Sequence, residues 1–571
     1  MVRLVWFAGS AVAVWGLAQA GQALAAIAVL LVGIAGFMVL LTRHQRIRAE
    51  RERARHLAFV NEDEGARLRR QYRRSETGAS YATPTHAYAA DLDVFGSHSL
   101  FRLLNRTHTR TGQITLASWL LQPAPADTIR LRQQATRDLI PQLDWRQELE
   151  ASAYAEETIG ASPDALISWA TAPAPALPAY VSLGRWLLPL LTLAAFTAWL
   201  TGYGPGLAVL GALGLSGLAL RQTTALAAQL SEQTVALSTA LGAFRRLFGQ
   251  AGQVTGDATR LQAIRQALTS RNQSAEAAIG QLAALTQGLN YRRNPYFYLL
   301  IGVATLWDWH YLLRLERWRA QHGADLARWF DALGELEALN SLAGFAYAHP
   351  HYATPDIADE GPTLQLQAGV HPLLPADKSI ANSIDLNGSG QTILITGSNM
   401  SGKSTFLRTV GANVVLALAG AVVGADRFSC SVMQVFTSMR TQDSLEESTS
   451  SFYAELKRLQ TLIGMTAPGH AVPVLYFLDE ILKGTNSADR HRGAEALIRQ
   501  LHQTTATGFV STHDLALGQL SDAEGFVRNY HFQSDLRDGQ LLFDYTLRPG
   551  VCTSFNASQL MQAIGINMGL V

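Results

Sequence analysis

Two long stretches of the chain carry no charged residue. The first runs from Leu4 to Thr42 and the second from Trp186 to Leu220. A bilayer span needs about 20 apolar residues, so each stretch is too long for a single crossing. Turn-forming residues interrupt both near the middle, at 19–22 (QAGQ) and 202–206 (GYGPG). The pattern predicts two helical hairpins that cross a membrane, with four spans in total.

Two alternatives stay open for these stretches. Each could be a pair of helices buried in a protein core, although core helices seldom avoid charge over such a length. The first stretch could also be a cleaved secretory signal. Arg3, an apolar run and Ala18-Gln19-Ala20 have the arrangement of a signal peptide with its cleavage site.

Charges beside the apolar stretches predict their orientation. Residues 43–55 (RHQRIRAERERAR) contain six arginines, and Arg3, Arg185 and Arg221 flank the other ends. Lysine and arginine accumulate on the cytoplasmic side of membrane proteins, so all these ends are expected inside, together with the parts between the hairpins. The arginine run could also bind anionic lipid or the phosphates of a nucleic acid.

The rest of the chain changes character near His349-Pro350. Before this point, residues 85–180 and 221–345 carry helical periodicity outside the uncharged stretches and predict an all-α region. Within it, the apolar segment Tyr296–Leu306 is too short to span a bilayer and is predicted to be a buried helix. After Pro350, short β-rich runs alternate with helical patterns, which is typical of an α/β domain.

Composition limits the classes that remain. The chain has 571 residues, enough for three or four domains at the usual domain size. It carries 46 Lys and Arg against 45 Asp and Glu, which excludes a generally polybasic protein. Hydrophobic residues reach 48% and charged residues only 16%, which argues against disorder. Two cysteines, Cys430 and Cys552, exclude a disulfide scaffold and favour a reducing compartment.

A phosphate-binding loop follows the first strand-like run of the α/β region. Residues 397–404 (GSNMSGKS) match the pattern G-x-x-x-x-G-K-[ST] directly after the apolar run 391–396. Backbone N–H groups of such a loop, and the positive end of the next helix, surround a phosphate. Lys403 is expected to reach the β- and γ-phosphates, and the Ser404 hydroxyl to bind Mg²⁺. The candidate ATP-binding residues are Gly397, Ser398, Asn399, Met400, Ser401, Gly402, Lys403, Ser404 and Thr405.

Two later strand-like runs end in residues suited to ATP hydrolysis. Residues 474–478 lead into Asp479 and Glu480, and residues 507–510 lead towards His513. Ligands bind at the carboxyl ends of the strands in parallel sheets. Asp479 is therefore expected to hold Mg²⁺ through water, and Glu480 to activate the attacking water as general base. His513 is the candidate sensor of the γ-phosphate, although a histidine in this place can also be structural.

These motifs resemble those of the MutS-type DNA mismatch repair ATPases. GSNMSGKST (397–405), LDEILKGTNS (478–487) and STHDLAL (511–517) each resemble a motif of that family. The resemblance implies an α/β P-loop NTPase domain of the ABC/MutS type that binds ATP and Mg²⁺. It also implies a head-to-tail dimer with two composite sites.

The resemblance assigns two further residues. Residues 442–452 (QDSLEESTSSF) align without a gap to the family's signature loop, which implies that Ser450 reaches the γ-phosphate in the partner subunit. Ile380 lies in a segment that resembles the family's loop on the nucleotide side of the site. The resemblance therefore implies that Ile380 contacts the nucleotide. Two positions depart from the family, since Ser379 replaces an aromatic residue that often stacks on adenine and Ser448 replaces a glycine.

Weaker similarity reaches into the helical region. Residues 99–107 (SLFRLLNRT) and 119–123 (WLLQP) resemble the start of the family's helical core, and residues 315–345 its end. The chain then divides into a transmembrane hairpin at 1–42, a charged juxtamembrane helix at 43–84, the first part of a MutS-like core at 85–182, a second hairpin at 183–221, a lever and core region at 222–345, and the ATPase domain at 346–571.

The element by which the family reads mismatches is missing from this sequence. Mismatch sensors carry a Phe-x-Glu motif, and none of the 21 phenylalanines here is followed two residues later by Glu. The family's clamp holds the DNA backbone with basic residues. The candidates here are Arg245, Arg246, Arg260, Arg265 and Arg271, which could equally form a solvated helix face.

Two functions are consistent with these observations. The first is a multi-pass protein of the cytoplasmic (inner) membrane, with its ATPase domain in the cytoplasm and ATP hydrolysis in a homodimer. Its DNA-binding ancestry would extend at most to backbone contacts with double-stranded DNA. The alternative is an ABC-like motor for transport or membrane remodelling without DNA, although the sequence has no LSGGQ-type signature. A scaffold that hardly hydrolyses ATP fits less well, because Asp479 and Glu480 are both present.

Overall fold

The chain divides into two compact units, Met1–Glu64 and Gly65–Val571. The computed structural model describes residues 2–157, 163–173, 177–270, 273–398, 400–439, 451–469, 472–521, 525–537 and 540–552. The first unit and the helical region of the second are built almost entirely from α-helices. The carboxy-terminal part of the second unit contains two β-sheets with helices against them.

The first unit consists of two antiparallel helices, α1 (Val2–Gln19) and all but the last residues of α2 (Ala23–Leu68). The indole Nε1 of Trp6 donates to the carbonyl of Gly33 at 2.9 Å, and the rings of Phe7 and Phe37 lie 6.0 Å apart. A Cβ atom at Gly36 would come within 2.4 Å of the Trp6 ring, so the small residue permits the close approach. Helix α2 continues without a break into the arginine-rich segment and ends at Leu68, within the predicted juxtamembrane segment 43–84.

The second unit begins with a helical region. Its α-helices are α3 (Leu100–Leu104), α4 (Arg110–Leu121), α5 (Ala126–Leu139), α6 (Leu143–Glu157), α7 (Pro163–Thr171), α8 (Tyr180–Leu200), α9 (Gly206–Arg221), α10 (Thr224–Gly252), α11 (Thr259–Ala267), α12 (Ala275–Asn290), α13 (Pro295–Phe297), α14 (Trp307–His322) and α15 (Leu326–Ala348). A two-stranded ribbon, β1 (Thr269–Ser270) with β2 (Gln273–Ser274), precedes α12.

Helix α15 is the centre of the helical region and is buried along most of its length. Its Glu337 side chain is buried and accepts hydrogen bonds from the backbone N–H groups of His108, at 2.9 Å, and Thr109. These bonds tie α15 to the start of α4, whose first N–H groups have no partner within their own helix. Gly334 permits this contact, because a Cβ atom there would lie 2.8 Å from the backbone of Thr111.

Helices α8 and α9 pack against each other and expose apolar side chains on their outer faces. Leu190 is 59% and Leu207 77% exposed. Within the described residues, three helices are long and apolar enough to cross a membrane, namely Val2–Gln19, Ala23–Leu68 and Tyr180–Leu200. The fourth predicted span, Gly206–Arg221, is equally apolar but has only 16 residues.

The prediction of a buried helix at Tyr296–Leu306 is wrong. The segment begins with the three-residue α13 and continues as a π-helical turn at Tyr298–Gly302. Leucines in its middle lie at the surface, with Leu299 71% and Leu300 73% exposed, whereas Leu306 at its end is fully buried. The sequence of such a short apolar segment does not determine whether its side chains are buried in the protein or exposed at its surface.

The carboxy-terminal part contains a six-stranded and a four-stranded sheet. The first has the order β12-β11-β6-β10-β9-β8, with β12 alone antiparallel, and the second has the order β3-β7-β4-β5. The strands are β3 (Asp356–Ala358), β4 (Thr363–Gly369), β5 (Asn382–Asn387), β6 (Thr392–Thr396), β7 (Arg427–Ser431), β8 (Gln434–Ser438), β9 (Val474–Asp479), β10 (Thr507–Thr512), β11 (Val527–Arg537) and β12 (Gln540–Pro549). The helices are α16 (Lys403–Ala419), α17 (Ser451–Met465) and α18 (Ser487–His502). The predicted α/β domain after a mostly helical region is therefore present.

Candidate nucleotide-binding site

The loop between β6 and α16 depends on two glycines with left-handed backbone. Gly397 has a φ of 152° and Gly402 a φ of 105°. A Cβ atom at Gly397 would lie 2.9 Å from the Ser401 hydroxyl and 3.0 Å from the Phe532 carbonyl, so that a larger residue would clash. Five fully buried positions in β6 fix the start of the loop, and α16 begins directly after Gly402. Asn399 lies outside the described residues.

Lys403 lies on the inner side of this loop. Its Nζ donates to the carbonyls of Gly397, at 2.9 Å, and Ser398, at 3.0 Å. Burial lowers the pKa of Lys403, while the carboxylates of Glu480 and Asp479 raise it in opposition. The ammonium group is thus held beside the loop's backbone, where it can attract an anion.

Ser404 and Asp479 meet at the edge of the sheet. The Ser404 hydroxyl donates to Asp479 Oδ2 at 2.5 Å, and the Ser511 hydroxyl donates to Asp479 Oδ1. A hydroxyl and a carboxylate suit Mg²⁺, which usually keeps several waters and takes one or two carboxylates plus substrate phosphates. Among the described residues, no group of three or more His, Cys, Asp and Glu could hold a metal by itself. The donor set therefore fits Mg²⁺ that arrives with a nucleotide.

Both carboxylate oxygens of Glu480 have partners. His513 Nε2 lies 2.5 Å from Oε1, and Lys483 Nζ lies 2.9 Å from Oε2. The hydrogen bond from His513 lowers the pKa of Glu480 to about 2, with Lys483 adding to the effect and burial opposing it. A carboxylate with such a pKa is charged at neutral pH but is a weak base. Sequence reasoning missed Lys483, because a lysine after an acidic motif is common on protein surfaces.

A cavity of about 430 Å³ adjoins the loop and has the size of a small-molecule site. Ile380 lines it, as do Met400 to Thr405 and Glu480. Two ring residues that sequence reasoning missed, His371 and Tyr545, also line it. Burial lowers the pKa of His371 to about 4, so its imidazole is neutral at pH 7.

Tyr545 reaches this cavity from the antiparallel strand β12. Its ring packs over Gly402, where a Cβ atom would lie 3.0 Å from Tyr545 Cδ1. Asn382 fixes the strand by donating to the Tyr545 carbonyl at 3.0 Å and accepting from Leu547 N at 2.7 Å. An exposed aromatic face beside the loop can stack on a base. Tyr545 therefore offers the ring that is missing at Ser379.

The segment that aligns with the signature loop lies mostly outside the described residues. Ser450, Ser448 and most of the signature segment lie in 440–450, outside the described residues. The described neighbours of that segment are Met439, directly after the edge strand β8, and Ser451, at the start of α17.

The arginines that were candidates for DNA contacts are partly engaged within the protein. Arg260 Nη2 donates to Glu335 Oε2 at 2.6 Å, and Arg265 Nη2 donates to the Gly256 carbonyl at 3.0 Å. Arg245 Nε lies 3.9 Å from Glu276 Oε1. Arg246 is exposed, and Arg271 lies outside the described residues.

A strand, a phosphate loop and a helix, with an acidic strand two positions away in the sheet, define a P-loop NTPase-type domain. The family model for MutS domain V matches residues 393–567. The DNA mismatch repair protein MutS of Chloroflexus aurantiacus is 33% identical over 231 residues, which are 38% of this chain and 23% of that protein. MutS of Natronomonas pharaonis is 31% identical over 244 residues, 42% and 28% of the two chains. MSH4 of Arabidopsis thaliana is 32% identical over 217 residues, 37% and 27% of the two chains.

The carboxy-terminal part of the chain is thus similar to domain V of the MutS family, as the sequence motifs indicated. The similarity spans only about a quarter of each of these relatives. The match to MutS domain V begins within β6 and leaves the uncharged helices outside the matched residues.

Replacement of Tyr545 by Ala is expected to weaken ATP binding about 5- to 150-fold, since stacking of a base on an aromatic ring contributes ~1–3 kcal/mol. Tyr545→Phe keeps the ring and should bind ATP like the parent protein. Titration with a fluorescent ATP analogue measures both, and inorganic triphosphate serves as a competitor without a base. Equal ATP affinity of Tyr545→Ala and the parent would contradict the stacking role.

Proposed function

We propose that this protein is a membrane-anchored ATPase of the MutS type, in which ATP binding and hydrolysis close and open a dimer of two copies. The observation that carries this proposal is the meeting of Lys403, Ser404, Asp479 and Glu480 at one edge of the six-stranded sheet. The similarity to MutS domain V supports it independently.

In the proposed site, each side chain has one task. Lys403 neutralises the β- and γ-phosphates, and the Ser404 hydroxyl and Asp479 hold Mg²⁺, which when bound spreads the charge that develops on the transferred phosphoryl group. Glu480 takes the proton of the attacking water, and His513 senses the γ-phosphate. Tyr545 and Ile380 face the base.

Glu480 must first lose one of its present partners. A carboxylate whose oxygens are held by His513 and Lys483 has little basicity left for water. A γ-phosphate would attract the imidazole of His513 and the ammonium of Lys483, and would thereby free an oxygen of Glu480. We therefore expect slow hydrolysis, because Glu480 becomes an effective base only after a bound γ-phosphate has drawn away one of its partners.

Completion of the site by a second copy rests on the alignment of Ser450 and on the position of β8. This strand is one edge of the six-stranded sheet, and the sequence that contains Ser450 connects it to α17. Charge on the γ-phosphate needs donors beyond Lys403 and the metal. A hydroxyl from the facing subunit would supply one only in the closed dimer, and hydrolysis would then report closure.

Membrane attachment is supported by the three long apolar helices and their flanking arginines. Apolar side chains on both helical pairs are exposed, for example Leu24 at 86% and Leu200 at 72%, which water disfavours and lipid does not. We place these helices in the cytoplasmic membrane, with the ATPase domain in the cytoplasm. The hydrogen bond from the Trp6 indole to the Gly33 carbonyl and the packing of its ring at Gly36 favour a retained hairpin over a cleaved signal.

A second candidate function is an ATP-driven machine that acts on the membrane without DNA. The engagement of Arg260 with Glu335 and of Arg265 with a backbone carbonyl favours it, because these side chains are less available to phosphates. Double-stranded DNA, held by its backbone, is the partner that follows from the relatives, which are named for DNA mismatch repair.

Two substitutions in the P-loop domain should separate binding from hydrolysis. Lys403→Ala is expected to abolish ATP binding, because it removes the one ammonium inside the loop. Glu480→Gln should keep ATP binding and reduce turnover at least about 100-fold, the usual contribution of a general base. Glu495→Gln, on the outer helix α18, is the control. Parental turnover in Glu480→Gln, measured by phosphate release in the presence of Mg²⁺, would refute the assignment.

Mixing two inactive variants tests the composite site. Lys403→Ala and Ser450→Arg each inactivate both sites of their own dimer. A mixed dimer has one site with both changes and one with neither, so about half of the parental activity per mixed dimer should return, because the two composite sites are equivalent. A mixture that stays inactive despite demonstrated subunit exchange would exclude completion of the site in trans.

Salt dependence of DNA binding decides between the two candidate functions. If the protein holds DNA by its backbone, the affinity of the detergent-solubilised protein for duplex DNA should fall steeply between low and physiological salt. It should also be the same, within about tenfold (1.4 kcal/mol), for paired and mismatched duplex, since backbone contacts carry no sequence information. Absence of binding with and without ATP would favour the machine that acts on the membrane alone.

A further inference from the structure

A short segment of the helical region holds apolar side chains out of the protein. We call residues 295–301 the interfacial turn. Within it, Tyr296 is 78%, Leu299 71%, Leu300 73% and Ile301 45% exposed. Contiguous exposed apolar side chains of this size mark an interaction surface rather than ordinary variation.

Hydrogen bonds and an ion pair fix the conformation of the interfacial turn. Asn294 accepts from the backbone N–H groups of Tyr296 and Phe297, at 3.0 and 3.2 Å. Beneath the turn, the fully buried Asp308 accepts from the Tyr298 hydroxyl at 3.0 Å and lies 3.3 Å from Arg292 Nε.

Aromatic packing completes the base of the turn. The ring of Phe297 packs edge-on against Trp307 at 5.0 Å, and the Trp307 indole donates to the Gly288 carbonyl at 2.8 Å. The inner half of the turn is therefore anchored by polar and aromatic contacts. Its apolar half faces outward as a consequence of this anchoring.

The interfacial turn adjoins the ends of α8 and α9. Leu306, just after the turn, forms a buried cluster with Trp309, Val181 of α8 and Leu220 of α9. Trp309 also donates to the Thr223 hydroxyl at 2.8 Å, directly after α9. The turn is thus built against the same end of the helical pair that carries Arg185 and Arg221.

The charges around the turn fit an anionic lipid surface. Between Glu276 and Asp308, the only charged residues are Arg292 and Arg293, and Arg293 is exposed. Aromatic residues and arginines are typical of the boundary between headgroups and hydrocarbon. The twelve residues from Pro295 to Leu306 would reach only about 18 Å as a helix, well short of the ~30 Å hydrocarbon core, so they cannot span it.

We propose that the interfacial turn inserts into the headgroup region of the cytoplasmic leaflet beside α8 and α9. This inference rests on the proposed membrane attachment of that helical pair. The turn would contact lipid in addition to α8 and α9. It is connected to α14 through Trp307 and Trp309, which lie in the first turn of that helix. Because α14 leads into α15, the centre of the helical region, the turn would fix the angle between the helical region and the membrane surface. A second copy of the chain would be a less suitable occupant, since Leu306 and Trp309 pack the segment after the turn against the end of the helical pair that we place in the membrane.

Depth-dependent fluorescence quenching in reconstituted vesicles tests the proposal. Single cysteines replace Leu300 in the turn, Leu193 in the middle of α8 and Leu456 in the ATPase domain, three leucines that are all exposed. An environment-sensitive dye is attached to each, and the unsubstituted protein, whose Cys430 and Cys552 are buried, is the blank. The vesicles contain anionic phospholipid with a nitroxide placed either near the headgroup or at the end of the acyl chain.

The dye at Leu300 should be quenched about twofold more strongly by the shallow nitroxide than by the deep one, because interfacial segments are buried only ~5–10 Å deep. The dye at Leu193 should show the opposite order, and the dye at Leu456 should respond to neither. Quenching at Leu193 without quenching at Leu300 would overturn the interfacial turn and leave membrane attachment standing. A dye at Leu193 that escapes the deep nitroxide would instead overturn attachment through α8.

Contact with a second copy gives a different result in the same experiment. The dye at Leu300 would then be shielded from both nitroxides and from iodide in the water, and the shielding would weaken as the protein is diluted in lipid. That outcome would also overturn the proposal. Leu300→Cys is a change at an exposed position, so the three labelled proteins should fold alike, which their thermal unfolding checks.

Discussion

The parallel register of β6, β9 and β10 is the constraint on which the nucleotide site depends. Thr396 of β6 lies opposite Thr512 of β10, and Ser511 of β10 lies opposite Asp479 of β9. All three strands are buried on both faces, so the packing of their apolar side chains fixes this pairing. A slip by one residue would turn Asp479 to the other face of the sheet and away from Ser404. The burial of apolar side chains in the centre of the sheet thus fixes the positions of the site residues at the ends of its strands.

Local patterns were sufficient to predict the part of the site that lies at the strand ends. The phosphate loop, Asp479 and Glu480 each follow directly after a buried apolar run, so sequence neighbours determine their positions. His371 and Tyr545 could not be predicted in this way, because His371 enters the cavity from the loop after β4 and Tyr545 enters it from β12. The ring of Tyr545 reaches Gly402 only through the long antiparallel pairing of β12 with β11.

Hydropathy predicted the helical pairs but not the exposure of the shorter apolar segment. Both long stretches form paired helices with an exposed apolar surface, whereas Tyr296–Leu306 has the same composition and was expected to be buried. The difference arises from Asp308, which lies just beyond the segment and is buried with Arg292 and Tyr298. The polar groups take the interior position, and Leu299 and Leu300 are left outside. A hydropathy profile averages over these residues and does not record which side of the chain they occupy.

The resting arrangement of Glu480 gives the proposed cycle its direction. Hydrogen bonding to His513 and Lys483 stabilises the charged carboxylate and lowers its pKa to about 2, so the free energy gained in the resting state is lost as basicity. Glu480 recovers that basicity when another anion binds His513 or Lys483 in its place. A γ-phosphate is such an anion. Hydrolysis is then coupled to occupancy by the same side chains that suppress it at rest. In the proposed cycle, Glu480 is therefore an effective base only while a γ-phosphate holds His513 or Lys483, and the site without nucleotide keeps its carboxylate paired.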